Sequence, residues 1–318
     1  MKKLILSVFI AAFAISSAQA GDITSERIKY SSADIYKNGR RTTKDLYLYT
    51  HKPSNENCIK KPFVLLVHGG GFINGNGTGS TNDQAKKLAE NGFITASLNY
   101  RVVGDNPIPS EKFKRLAGDG LAKAEDFNIR LMDMERGVNI NDINWVISKY
   151  REGNDRVKRI TKRKRQAVAM AAAMEDLSKA LNVIHRHADH HCIDKDRISV
   201  VGKSAGAITA VNLIYAANHY RITIPTIHSV VNLYGGLMHL DLLRSNSSPI
   251  LSIHGTNDRI IPHQASVLLS RAARRKGMYQ STKLLNGASH GNSDFWRAKH
   301  GGKTANVHIL EFLRKSSF

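Results

Sequence analysis

Seven residues, Val200-Val201-Gly202-Lys203-Ser204-Ala205-Gly206, constrain the fold more than any other part of this chain. The apolar run Ile198–Val201 leads directly into a glycine, and the amphipathic run Ala207–Ala217 follows the second glycine. A strand must therefore turn into a helix within a few residues, with a serine at the apex. Gly202 and Gly206 carry no Cβ, so backbone and helix can crowd together there. Ser204 can then occupy a strained turn with its hydroxyl exposed.

The remaining apolar runs fit the same plan. Phe63–Val67, Phe93–Leu98, Ser229–Leu233, Pro249–Ile253 and Thr282–Leu285 read as strands. Phe63–Val67 is continuously apolar, which suits a strand buried on both faces of a parallel sheet. Helices are expected from Ser80 or Thr81, as cap, to about Glu90, over Gln264–Lys276 and over Ala305–Lys315. Ala167–His187 is a further helix, with Met170, Met174, Leu177, Leu181 and Ile184 on one core-facing stripe. Two strand-like runs, Arg27–Tyr36 and Asp45–Thr50, flank Lys37-Asn38-Gly39-Arg40, a hairpin signal. Strand and helix alternate, which predicts an α/β fold: a mostly parallel central sheet flanked by helices. At 318 residues and 42% hydrophobic content the chain can bury one large core. The alternation breaks between about residues 101 and 166, read as a helical or irregular, cap-like insertion in one domain over 21–318. Ile140–Tyr150 is a helical candidate within it.

Residues 1–20 read as a cleaved signal peptide: Lys2 and Lys3, a short apolar run Leu4–Ile15, then Ala18-Gln19-Ala20. The run is too short to span a bilayer, and no later stretch is long and apolar enough. The expectation is a secreted or periplasmic protein without a transmembrane segment, in which a disulfide can form. Cys58 and Cys192 each precede a strand-like run by five or six residues. Neighbouring parallel strands would put both at one sheet edge; otherwise they are two unpaired, partly buried thiols.

A serine hydroxyl needs a histidine to take its proton and a carboxylate to orient that histidine. Ligands bind where parallel strands end, so the partners are sought just after later strands. Pro249–Ile253 is followed by His254-Gly255-Thr256-Asn257-Asp258, and Thr282–Leu285 by Asn286-Gly287-Ala288-Ser289-His290-Gly291. Ser204, Asp258 and His290 are therefore the catalytic candidates. Acyl transfer also needs N–H donors for an oxyanion. His68-Gly69-Gly70-Gly71-Phe72 follows the first buried strand and, with the N–H of Ala205, can supply them. A phosphate-binding loop is the rival reading, but the Gly-Lys-Ser/Thr ending is missing.

His68–Phe72, Gly202–Gly206, His254–Asp258 and Ser289-His290-Gly291, with Asn99-Tyr100-Arg101 and Asp194–Ile198, resemble the HGGG-containing carboxylesterases and lipases of the α/β-hydrolase superfamily. The resemblance covers most of residues 60–315. It implies Gly70, Gly71 and Ala205 as oxyanion donors. Its sheet order places the strand after Cys58 beside the elbow strand, which implies a Cys58–Cys192 disulfide. Lys203 departs from the pattern: it stands where hormone-sensitive-lipase-like members usually carry Asp and type-B carboxylesterases Glu. The insertion is also longer and more basic than usual, so substrate preference is not carried over.

The expected activity is an exported serine hydrolase cleaving carboxylic esters through an acyl-enzyme, with no cofactor and no metal. His185, His187, His190 and His191 read as a polar helix end. Substrates could be small-molecule, lipid or acylated-polymer esters. An amide or peptide hydrolase with the same triad is one alternative. Another is a secreted binding or effector protein whose basic insertion engages an anionic surface. Lys149–Arg165 holds nine Lys or Arg against two acids, within a formal net charge of +21. Tyr150 is the one aromatic nearby, which argues against nucleic-acid stacking.

Overall fold

The computed structural model describes residues 22–54, 58–119 and 155–315, with the backbone alone over 155–164. The signal-like segment 1–20, the Ile140–Tyr150 helix and most of the insertion lie outside the described residues.

An eight-stranded sheet runs in the order β1-β2-β4-β3-β5-β6-β7-β8. Its strands are β1 (Ile23–Lys37), β2 (Arg40–Pro53), β3 (Lys61–Val67), β4 (Ile94–Leu98), β5 (Ile193–Lys203), β6 (Ser229–Leu233), β7 (Ile250–Gly255) and β8 (Gln280–Leu285). β1 and β2 form the antiparallel hairpin at one edge, turning at Asn38 and Gly39, both with positive φ. β2 meets β4 antiparallel, and every later pairing is parallel. The hairpin strands are longer than their apolar cores suggest, because polar alternation continues the ladder to Ile23 and Pro53.

Helices cover both faces. α3 (Asp155–Arg186), α4 (Ala205–Ala216) and α5 (Gln264–Arg275) pack on one side. α1 (Ser80–Ala89), α6 (Ser293–Arg297) and α7 (Ala305–Leu313) pack on the other. α2 spans 111–119. β3 shows why its run is wholly apolar: Phe63, Leu65 and Val67 enter one core, Val64 and Leu66 the other. Each such large side chain contributes about 1.5–3 kcal/mol on burial.

Two expectations are corrected. α3 starts at Asp155, twelve residues before the Ala167 read from its apolar stripe; the earlier turns are polar and carry no core-facing signal. α1 starts at Ser80, so its N-cap is Gly79, at φ 75°, and no side chain caps it.

The β3–β5 pairing explains the cysteines. Lys61 lies opposite Ile193, and Cys58 and Cys192 form a disulfide with Cα atoms 5.3 Å apart. Among the described residues no helix is long and apolar enough to cross a membrane, and no cluster of three His, Cys, Asp or Glu could hold a metal ion.

Candidate active site

Ser204 follows the last residue of β5 and precedes the first of α4. Its φ of 51° and ψ of −119° are strained for a residue with a Cβ. Local packing enforces the strain. A Cβ on Gly202 would strike Ala207 and the Gly206 carbonyl, and one on Gly206 would strike the Val67 and His68 carbonyls. The Ser204 N–H donates to Leu233 O at 2.9 Å, tying the elbow to the end of β6.

His290 lies in the loop after β8 and brings its ring to the serine. Nε2 is 2.8 Å from Ser204 Oγ, and Nδ1 is 2.6 Å from Asp258 Oδ2. The carboxylate accepts from Nδ1–H, which leaves the Nε2 lone pair facing the serine hydroxyl. The loop is fixed around it. Ser289 donates its N–H and Oγ–H to Asp294, and Trp296 Nε1 donates to Gly291 O at 3.1 Å. Tyr234, at φ 43° just after β6, sets its ring edge-on to the imidazole at 4.8 Å.

Asp258 follows the end of β7, and its side chain is buried. Oδ1 accepts the N–H groups of Ile260 and Ile261 at 2.8 and 3.0 Å. Oδ2 accepts from both His290 and His254, the latter at 3.1 Å. Burial works against the charge, but these hydrogen bonds outweigh it and hold the carboxyl well below its usual range. His254 is a partner that sequence reasoning missed. Its Nε2–H is shared with Ile261 O at 2.9 Å, and its Nδ1 accepts from Ser266 Oγ at 2.8 Å. Its one sequence signal is its place at the end of an apolar strand, four residues before Asp258.

The glycine loop after β3 closes the other side. Gly70 and Gly71 have φ of 114° and 60°, and a Cβ at Gly70 would collide with the Asn74 carbonyl. Ala205 opens α4, where an N–H has no carbonyl one turn back to bind. Tyr100 Oη donates to His68 O at 2.9 Å, and its ring stacks on the His68 ring at 4.0 Å between centroids. Burial holds the His68 imidazole neutral, its pKa pushed down to about 4. Gln166, at the end of the insertion, donates to Gly71 O at 2.9 Å.

An open cleft of about 610 Å³ brings Ser204, His290, Gly70, Gly71, Lys203 and Tyr234 to one surface. A second cavity, of about 200 Å³, lies among Phe63, Ile94 and Ile193, near the opposite ends of the strands and away from the serine.

The BD-FAE family model matches residues 45–113, from the second hairpin strand through the glycine loop and β4. No curated protein matches the sequence. Among solved structures, the chain is similar to esterase 2 of Thermogutta terrifontis. The form phosphorylated by paraoxon aligns at 16% identity and a TM-score of 0.58, over 91% of this chain and 90% of that one. The apo form aligns at 17% and 0.58, over 91% of both. The propionate-bound form aligns at 16% and 0.56, again over 91% of both. The chain has the α/β-hydrolase fold. In that fold the elbow serine, the β7 loop and the β8 loop meet at one sheet edge, where Ser204, Asp258 and His290 stand here.

Proposed function

We propose that this chain is a serine hydrolase that cleaves carboxylic esters through an acyl-enzyme. The observation that carries the reading is the hydrogen-bonded chain from Ser204 Oγ through His290 to a buried, four-fold bonded Asp258 carboxylate, opening on the cleft. The solved esterases of the same fold support it.

Ser204 Oγ attacks the ester carbonyl while His290 Nε2 takes its proton. The negative charge of Asp258 stabilises the imidazolium and keeps the ring in its productive tautomer. The N–H groups of Gly70, Gly71 and Ala205 receive the developing oxyanion. The tetrahedral adduct collapses, the C–O bond breaks, and His290 gives its proton to the leaving alcohol. Water then attacks the acyl-serine, losing a proton to His290, and the acid departs as Ser204 regains its hydrogen.

The reaction takes place in an exported protein. The signal-like segment 1–20 and a Cys58–Cys192 bond, which suits an oxidising compartment, support export.

Hydrolysis of p-nitrophenyl acetate and butyrate by the wild type and by Ser204→Ala tests the reading. Turnover is expected in the wild type, with a fall of at least about 10⁴-fold in the variant. Equal turnover in a folded Ser204→Ala protein would overturn it.

A further inference from the structure

Lys203 stands immediately before the nucleophile, as the last residue of β5, and is 8% exposed. It lines the same cleft as Ser204, beside Ser80 and Thr81. Its Nζ donates to the Ser80 carbonyl at 3.3 Å and lies 5.4 Å from the centre of the Trp296 ring. Among the described residues it has no ion-pair partner. Asp83 on α1 acts on it from a distance, and that attraction is outweighed by burial, which lowers the ammonium to about 8.

An ammonium has three donors, and the Ser80 carbonyl uses one. A buried cation without a counter-charge is costly, and the donors that Ser80 does not use can bind an anion. The same wall carries the N-terminal end of α1, whose Gly79 N-cap leaves the first-turn N–H groups without a side-chain partner. Across the cleft, His68 is held neutral, so it adds no positive charge that would repel an anion. His290 is engaged by Asp258. This wall is therefore built to receive negative charge.

We propose that Lys203 is a specificity-determining residue that binds a carboxylate carried by the ester substrate itself. The proposal rests on the ester-hydrolase reading above and names its substrate class: esters of compounds that keep a free carboxylate a few atoms from the scissile bond. The carboxylate can belong to the acid part or to the alcohol part, and two matched pairs distinguish these sources. Monoethyl succinate against ethyl succinamate places it on the acyl side. 3-Acetoxybutanoate against 3-acetoxybutanamide places it on the alcohol side.

For at least one pair, kcat/KM in the wild type is expected to favour the carboxylate by about tenfold or more. In Lys203→Met the ratio should fall to about one, and in Lys203→Arg it should persist. The wild-type ratio should also decline as pH rises through about 8, where Lys203 loses its proton. That decline is absent in Lys203→Met, and this arm needs only the wild type if the variant does not fold. Asp83, the α1 N-terminus and Trp296 stand around Lys203, and His68 and His290 line the same cleft. His290 acts on both members of a pair and cancels in the ratio. Ratios near one in both pairs, or ratios unchanged in Lys203→Met, overturn the assignment. So does labelling of Ser204 by a fluorophosphonate with no turnover of either carboxylate ester. Absence of both labelling and turnover instead overturns the ester-hydrolase reading.

Discussion

Asp258 and Asp176 are both buried carboxylates, and they differ in what surrounds them. Every donor to Asp258 is a neutral group: two imidazole N–H and two backbone N–H. Its negative charge is therefore kept but not cancelled, and it faces an imidazole that turns cationic in the mechanism we propose. Asp176, on α3, meets a full cation. Arg101 gives it Nε and Nη2 at 2.8–3.1 Å and its backbone N–H at 2.9 Å. Arg101 also donates to Glu175 at 2.8 Å and to the Asp34 carbonyl at 2.9 Å. Burial works against both charges and raises the Asp176 carboxyl even beside Arg101, but Asp176 and Glu175 outweigh it at the guanidinium and hold that above its ordinary pKa, and the bidentate contact marks an ion pair. Here the charges neutralise each other and tie α3 to the chain after β4 and to the hairpin. The difference separates an anion available to chemistry from one consumed in holding the fold together.

Two substitutions test that contrast. Asp258→Asn has the larger expected effect and should act on rate. It removes the charge and disturbs the His290 tautomer, so kcat for ester hydrolysis should fall by the order of 10⁴, equivalent to roughly 5 kcal/mol of barrier. Asp176→Asn should act on stability. It leaves Arg101 buried without its main partner, a loss of about 3–5 kcal/mol in urea unfolding. Titration of the remaining folded enzyme with a fluorophosphonate should show nearly normal turnover per labelled site. If Asp258→Asn costs more stability than Asp176→Asn, or Asp176→Asn abolishes turnover per site, the division of roles fails.

The same two regions show what a sequence discloses. Ser204, Asp258 and His290 are each marked locally, by glycines and by the end of an apolar strand. Parallel strands carry those ends to one edge, so three positions far apart in the chain can be matched from their strand ends alone. In the Arg101 cluster only the arginine is marked, by Asn99-Tyr100-Arg101 after β4. Its partners are 74 and 75 residues away, inside a helix whose readable signal is its apolar stripe. His254 and Lys203 lie between these cases. Both are plain in the motifs, and His254 bonds Asp258 of its own motif, yet their other partners come from α5, α1 and Trp296, which the motifs do not contain. The polar first turns of α3 escape sequence reading for the complementary reason: their sequence holds no apolar stripe that periodicity could detect.

The central claim is that Ser204 is a nucleophile activated by His290. Intact-mass measurement after exposure to a fluorophosphonate tests it most directly. The wild type should gain one phosphonyl group, mapped by peptide sequencing to Ser204. His290→Ala should react far more slowly, and Ser204→Ala should gain nothing. Labelling of a folded Ser204→Ala protein at the wild-type rate, or wild-type labelling that maps to another residue, would contradict the claim.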